Sequence, residues 1–165
     1  MNTADGAQVV EIARRWIGTP YRHQASLMGA GTDCLGLIRG VWRTLYGQEA
    51  ALVPPYTKDW AEAHNEEVLW QAAATYLLPK SLAEEAAGDV LLFRMKSGAV
   101  AKHLGIAGRV GAEASVIHAY GGHAVVENAL SLPWRRRIVG RFAFPAPETD
   151  LSEAAANKEC STWRR

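Results

Sequence analysis

Cys34 is the residue around which chemistry can be built. It stands in Gly31-Thr32-Asp33-Cys34-Leu35-Gly36, a small-residue turn ending in an acidic residue, with the cysteine at the first turn of an expected helix. A thiol is a strong nucleophile only as thiolate, and the free N–H groups and partial positive charge of a helix N-terminus lower its pKa from ~8.5. Free cysteine is also among the most buried residue types, so a small core hydrophobe behind an N-cap is the competing reading. Histidines able to meet the thiol separate the two. His103 and His118 fall in two short apolar runs, His103-Leu104-Gly105-Ile106-Ala107-Gly108 and Ser115-Val116-Ile117-His118-Ala119-Tyr120. If the hairpin between them closes symmetrically about Val110 and Gly111, the two histidines are directly opposed on one face, with Cβ atoms ~5 Å apart. One imidazole can then take the thiol proton while the second holds the first ring's orientation and tautomer. His103 is the expected base and His118 the expected orienter.

The elements that must position these residues follow from periodicity. Residues 7–17 read as a helix, with Val9, Val10, Ala13, Trp16 and Ile17 on one face, ended by Gly18-Thr19-Pro20. A loop runs over 21–31. A second helix spans 34–46, capped by Thr32 or Asp33 and followed by Gly47. Its stripe of Cys34, Ile38, Val41 and Leu45, with Trp42 beside it, directs the thiol toward the core, and Gly36 and Gly40 allow another backbone to come close. After a loop over 48–58, a third helical region covers 59–78, closed by Pro79, and a polar connection runs to residue 87. At Gly88 the period changes. Strands are expected at 89–94, 103–108, 115–120 and 124–127, a Gly121-Gly122 turn between the last two, a single-turn segment at 132–134 and a last strand over 138–144. Helices followed by antiparallel strands predict an α+β fold, N-terminal helices packed on a central antiparallel sheet. The expectation is one domain over 1–144 and a polar, Ala-rich tail over 145–165.

Bulk properties narrow the function. The 165 residues carry a net charge of +1, which argues against nucleic-acid binding by bulk electrostatics. No stretch approaches the ~20 apolar residues of a membrane span, so no membrane insertion is expected. Cys34 and Cys160 lie far apart, Cys160 in the polar tail, and a structural disulfide is not expected. The first residues carry neither a basic region nor an apolar run, so synthesis in the cytoplasm without a signal peptide is expected. There is no phosphate-binding glycine loop and no CxxC pair. Zinc held by Cys34, His103, His118 and His123 is the alternative chemistry, but close ligand pairs are missing, and no metal or cofactor is expected. His123 follows the Gly-Gly turn and is expected at the surface, as is His64. His23 can line a pocket near the thiol, Asp33 reads as the cap of its helix, and Arg135-Arg136-Arg137 reads as a solvated strand edge.

With those residues in place, the chain resembles the NlpC family of cell-wall cysteine peptidases, a compact papain-like group, from about residue 7 to 144. Gly18-Thr19-Pro20-Tyr21-Arg22 is similar to the segment before the nucleophile, and Asp33-Cys34-Leu35-Gly36-Leu37 to the Asp-Cys-Ser-Gly-Leu nucleophile motif. Gly88-Asp89-Val90, His103-Leu104-Gly105-Ile106 and Val116-Ile117-His118-Ala119 are similar to the strands bearing the base and the third polar residue. The resemblance implies hydrolysis of an amide in the peptidoglycan stem peptide, with Cys34 as nucleophile, His103 as base, His118 as third member and Tyr21 beside the thiol, where it can help bind substrate; Asp33 and His23 are the other candidates on the substrate side. Leu35 stands where the family has serine, and His23-Gln24-Ala25-Ser26 where it has a Trp-Gly-Gly stretch. This variant is most similar to the subgroup encoded among phage tail and gene-transfer-agent genes. That implies phage-like tail or hub proteins as partners, action in the periplasm or cell wall, and no secretion signal. The alternative function is a catalytically silent tail-tip protein that keeps the peptidase fold.

Overall fold

Residues 90–93, 103–107 and 115–119 are apolar runs buried along their whole length, and a strand buried on both faces needs cover on both sides. In the computed structural model, which describes residues 2–57 and 65–148, they form the middle of a six-stranded antiparallel sheet. The elements are α1 (Gly6–Arg14), β1 (Ser26–Leu27), β2 (Gly31–Thr32), α2 (Cys34–Tyr46), α3 (Val68–Tyr76) and β3 (Leu78–Lys80). There follow β4 (Val90–Phe93), β5 (His103–Ala107), a 3-10 turn (Gly111–Glu113), β6 (Ser115–Ala119), β7 (Val125–Ala129), α4 (Leu132–Arg135) and β8 (Ile138–Ala143). The large sheet has the order β3-β8-β4-β5-β6-β7, while β1 and β2 form a small hairpin of their own. Helices before an antiparallel sheet are the α+β plan that the sequence predicts.

One face of the sheet, through Val90, Leu92, Leu104, Ile106, Ile117 and Phe142, packs on α1 and α2 through Val9, Ala13, Leu37, Ile38 and Val41. Burying each such Val, Leu or Ile side chain contributes roughly 1.5–3 kcal/mol. The other face presents Leu91, Phe93, Ala107 and Val116 and is covered by Leu130 and Trp134, from the segment between β7 and β8, together with Ile138 at the start of β8. Between the sheet's outer strands, buried Asp89 accepts from Arg141 at 2.7 Å and from Lys80 at 2.8 Å, joining β3 and β8 to the start of β4. Pro145 bridges Thr3, and the amide of Ala146 donates to Asn2, so ordered packing continues past the expected boundary at 144. Residues 149–165, including Cys160, and residues 58–64, including His64, lie outside the described residues.

The structure corrects several sequence expectations. α1 ends at Arg14, and Ile17 beyond it is half exposed rather than in the core stripe. Among the described residues the third helix covers only Val68–Tyr76, and Leu78–Lys80, including Pro79, is an edge strand instead of a helix end and connection. Pro79 is tolerated there because an edge strand leaves one row of N–H groups unpaired. The expected loop before Cys34 contains the β1–β2 hairpin. The arginines are less solvated than expected: Arg135 donates to the carbonyls of Leu130 and Gly111, and Arg137 lies over the ring of Trp134.

Helix α2 is seated by close approaches at its glycines. A Cβ on Gly36 would lie 1.9 Å from the carbonyl oxygen of Ala25 and 2.6 Å from Thr32 Oγ1. At Gly40 the close neighbour is the ring of Trp16, a side chain rather than the expected backbone. At its C-terminus Gly47 takes φ 77° as a left-handed cap. Gly36→Ala must displace the Ala25 segment or the helix, and such overpacking costs ~1–3 kcal/mol. Urea denaturation is expected to show a loss of that order for Gly36→Ala, and no measurable change for Gly121→Ala, where a Cβ meets nothing within 4 Å.

Candidate active site

Asp33 is nearly fully buried and caps α2, its Oδ1 accepting from the amide of Gly36 at 2.8 Å. Its Oδ2 accepts from the amide of Gln24 at 2.8 Å and from the hydroxyl of Tyr56. Tyr56 is held a second time through its carbonyl, which accepts from His23 Nε2 at 2.8 Å and from the side-chain amide of Gln24. His23 Nδ1 lies 3.8 Å from Asp33 Oδ2. One carboxylate therefore fixes the start of the cysteine helix, the turn over 22–25 and the loop that carries Tyr56. Gln24 adopts φ 65°, a left-handed conformation that aims its amide at Asp33.

Cys34 opens α2 and is half-buried. Its Sγ lies 4.0 Å from the carbonyl of Lys102, and the amides of Leu104, Leu35 and Cys34 itself favour the thiolate. Burial, followed by the charge of Asp33, outweighs those amides and pushes the thiol up to about 11. The thiol thus comes to β5 from the helix-bearing face of the sheet.

The histidines lie on the other face. The sequence reading opposed His103 to His118 directly; the observed pairs are Ile106 with Ile117 and Ala107 with Val116. The 3-10 turn at Gly111–Glu113 moves the hairpin's centre one residue along and the register by two, so His118 stands diagonal to His103. A shift of two residues preserves the face. His103 pairs with Phe93 across β4–β5, and both histidine rings contact Trp134 and Tyr120. His103 Nε2 and His118 Nδ1 are 2.9 Å apart, and the side-chain amide of Asn128 on β7 reaches His118 Nε2 at 3.3 Å. Burial, with the neighbouring His118, lowers His103 to about 3, and burial lowers His118 to about 4. Both rings are therefore neutral at pH 7.

At the end of β5 the two faces meet in one cavity of about 350 Å³. Its lining brings together Cys34, His103, Tyr21, Asp33 and His23, all singled out by the sequence, with His118 directly behind His103. Tyr56, Lys102, Met95 and Tyr120 also line it, and sequence reasoning did not find them. Burial raises the Tyr21 hydroxyl, as do the charges of Cys34 and Asp33. His123 is at the surface, stacked on Tyr120. Leu35 lines this cavity too, and with Leu69 it also lines an adjoining apolar cavity of about 290 Å³ between α2, α3 and residues 49–54. Among the described residues no group of three or more His, Cys, Asp or Glu is placed to hold a metal ion. Among them, too, no helix is long and apolar enough to cross a membrane. Chemically, a helix-start thiol and a neutral imidazole lining one cavity, with a second imidazole behind the first, are the groups that nucleophilic acyl transfer uses.

No protein-family model matches the chain, and no curated protein matches it. Solved structures do. The NlpC/p60 domain of the peptidoglycan hydrolase SagA is 22% identical with a TM-score of 0.56, covering 86% of this chain and 100% of that one. An NLP/P60-family protein of Staphylococcus aureus, similar to a lipoprotein, is 20% identical with a TM-score of 0.55 over 88% of this chain and 43% of that one. Ly7917, solved with the hydrolysing product of MDP, is 16% identical with a TM-score of 0.52 over 86% and 63%. The chain thus spans all of the first and less than half of the second. Its fold is the NlpC/p60 papain-like fold.

The histidine environment gives a measurable pH dependence. Folded values of about 3 and 4 lie below the ordinary 6.5, so the native state binds fewer protons than the unfolded chain. The stability from neutral His103 and His118 is complete above about pH 6.5 and is lost as pH falls toward 4. Unfolding measurements are expected to show a loss of ~2 kcal/mol per histidine between pH 7 and pH 5, with a shallower slope in His118→Gln.

Proposed function

We propose that this protein is a cysteine peptidase that hydrolyses an amide bond in the peptidoglycan stem peptide through a thioester on Cys34. The observation that carries the reading is the single cavity lined by Cys34 and His103, with His118 hydrogen-bonded to the far nitrogen of His103. The names of the similar structures support the substrate class, since they include a peptidoglycan hydrolase and a complex with a hydrolysis product of MDP.

In the proposed mechanism Nε2 of His103 is engaged by His118, so Nδ1 receives the thiol proton as Sγ attacks the carbonyl carbon. Burial disfavours either charge alone, the thiol being up at about 11 and His103 down at about 3. Thiolate and imidazolium therefore arise together, as an ion pair in a water-poor site. The amides of Cys34, Leu35 and Leu104 lie on the side of the negative charge. The tetrahedral intermediate collapses with breakage of the C–N bond, and His103 returns its proton to the leaving amine. Water then attacks the thioester, His103 takes its proton, and the thiol is restored as the new carboxylate leaves. Tyr21, His23 and Asp33 stand at the substrate end. Asp33 and His23 spend polar atoms on Tyr56, so their contribution there is to hold Tyr56 and the pocket wall.

We further propose that a phage-like tail or hub carries the enzyme to the wall, a placement that rests on the resemblance of Tyr21-Arg22-His23-Gln24-Ala25-Ser26 and Asp33-Cys34-Leu35-Gly36-Leu37. Mass spectrometry of purified sacculi digested with the protein is expected to show new stem-peptide fragments. Cys34→Ala is expected to abolish them, and His103→Ala to slow their release by at least ~10²-fold, the contribution of a positioned base. Unchanged digestion by Cys34→Ala would remove Cys34 as the nucleophile. No digestion by the wild type, with intact particle assembly by Cys34→Ala, would establish the silent tail-tip protein instead.

A further inference from the structure

The proton inventory of the two histidines reaches a residue outside the three proposed to act. A neutral imidazole carries one N–H and one lone pair on its two ring nitrogens. For His103 Nδ1 to accept the thiol proton, the resting proton of His103 must sit on Nε2 and be donated to His118 Nδ1, 2.9 Å away. That fixes the proton of His118 on Nε2, where it needs an acceptor. The group placed there is the side-chain amide of Asn128, with Nδ2 at 3.3 Å. With the NH2 toward His118 every donor in the chain reverses, and His103 meets the thiol with an N–H instead of a lone pair. A half-turn of the amide puts Oδ1 in the same position and gives the productive direction.

Asn128 is well placed for this. It is directly opposite Val116 in the β6–β7 ladder and so shares the face of His118, yet it lies at the exposed end of β7. His118 is fully buried, and its ring packs against Trp134 with centroids 5.1 Å apart. We propose that Asn128 is a positioning residue whose side-chain carbonyl accepts from His118 Nε2 and sets the proton direction of the His103–His118 pair, so that His103 can receive the proton of Cys34. The inference rests on the reading of Cys34 and His103 as nucleophile and base. Other titratable or charged groups around the pair are Lys102 at the pocket, Tyr120 just after β6 with His123 stacked on it, and Arg137 beyond Trp134.

The test is the rate of iodoacetamide alkylation at Cys34, followed by peptide mass spectrometry across pH, in the full chain and in Asn128→Leu and Asn128→Asp. Asn128→Leu, which cannot accept, is expected to react about tenfold more slowly at neutral pH, the factor of one net hydrogen bond. Asn128→Asp offers only acceptors. It is expected to match or exceed the wild-type rate, with the pH profile displaced because a carboxylate raises the pair's proton affinity. A purely structural role would leave both profiles superimposable on wild type, and that result, or an Asp variant as slow as the Leu variant, overturns the proposal. The readout needs no peptidoglycan. Expected alkylation differences in a protein that leaves sacculi intact would contradict the substrate, not Asn128; superimposable profiles in a protein that digests sacculi would contradict Asn128 alone.

Discussion

The site depends on the carboxylate of Asp33. It is nearly fully buried, and it accepts from the amides of Gly36 and Gln24 and from the hydroxyl of Tyr56. Hydrogen bonds to a charged group contribute roughly 1.5–3 kcal/mol each, so an unpaired carboxylate here would be costly and a saturated one is rigid. That rigidity fixes where α2 starts, and therefore where Sγ stands against β5. It also ties two loops distant in sequence to the rim of the same cavity.

The arrangement has an electrostatic cost that the fold meets elsewhere. An anion one residue from Cys34 raises the thiol's pKa, as burial does more strongly. Backbone amides at the helix start and on β5 oppose this. The proposed base, His103, comes from the sheet's other face, with Nε2 engaged by His118 and Trp134 covering the pair. In the proposed mechanism a thiolate in this pocket is tied to protonation of His103, which couples charge formation to the transfer step rather than to the resting state.

Local chemistry was legible in the sequence where short-range rules decide. Asp33 as cap, Cys34 at the helix start, Gly47 as stop and the Gly121-Gly122 turn all follow from a few neighbouring residues. The two histidines were placed on a common face because parity survives a register error of two, while their direct opposition was not, since a 3-10 turn has no strong sequence mark. Which face of the sheet the helix covers depends on the order of distant strands, and the histidines proved to lie opposite it. Tyr56 and Asn128 were invisible for the same reason: each reaches the site through a partner 10 or more residues away, Asp33 for one and His118 for the other. Strand β3 exists through its pairing with β8, some 60 residues on, and nothing in Leu78-Pro79-Lys80 alone announces it.

The proposed reaction passes through a covalent bond between substrate and Cys34, and trapping that bond tests it. The protein is mixed with purified muropeptides, quenched in acid within the first turnovers, and its intact mass and peptide map are recorded. The expected result is a mass increase equal to the acyl half of a stem peptide, located on Cys34 and released by hydroxylamine. Turnover of the muropeptides with no adduct on Cys34 at any quench time, and with cleavage persisting after Cys34 is alkylated, would contradict it.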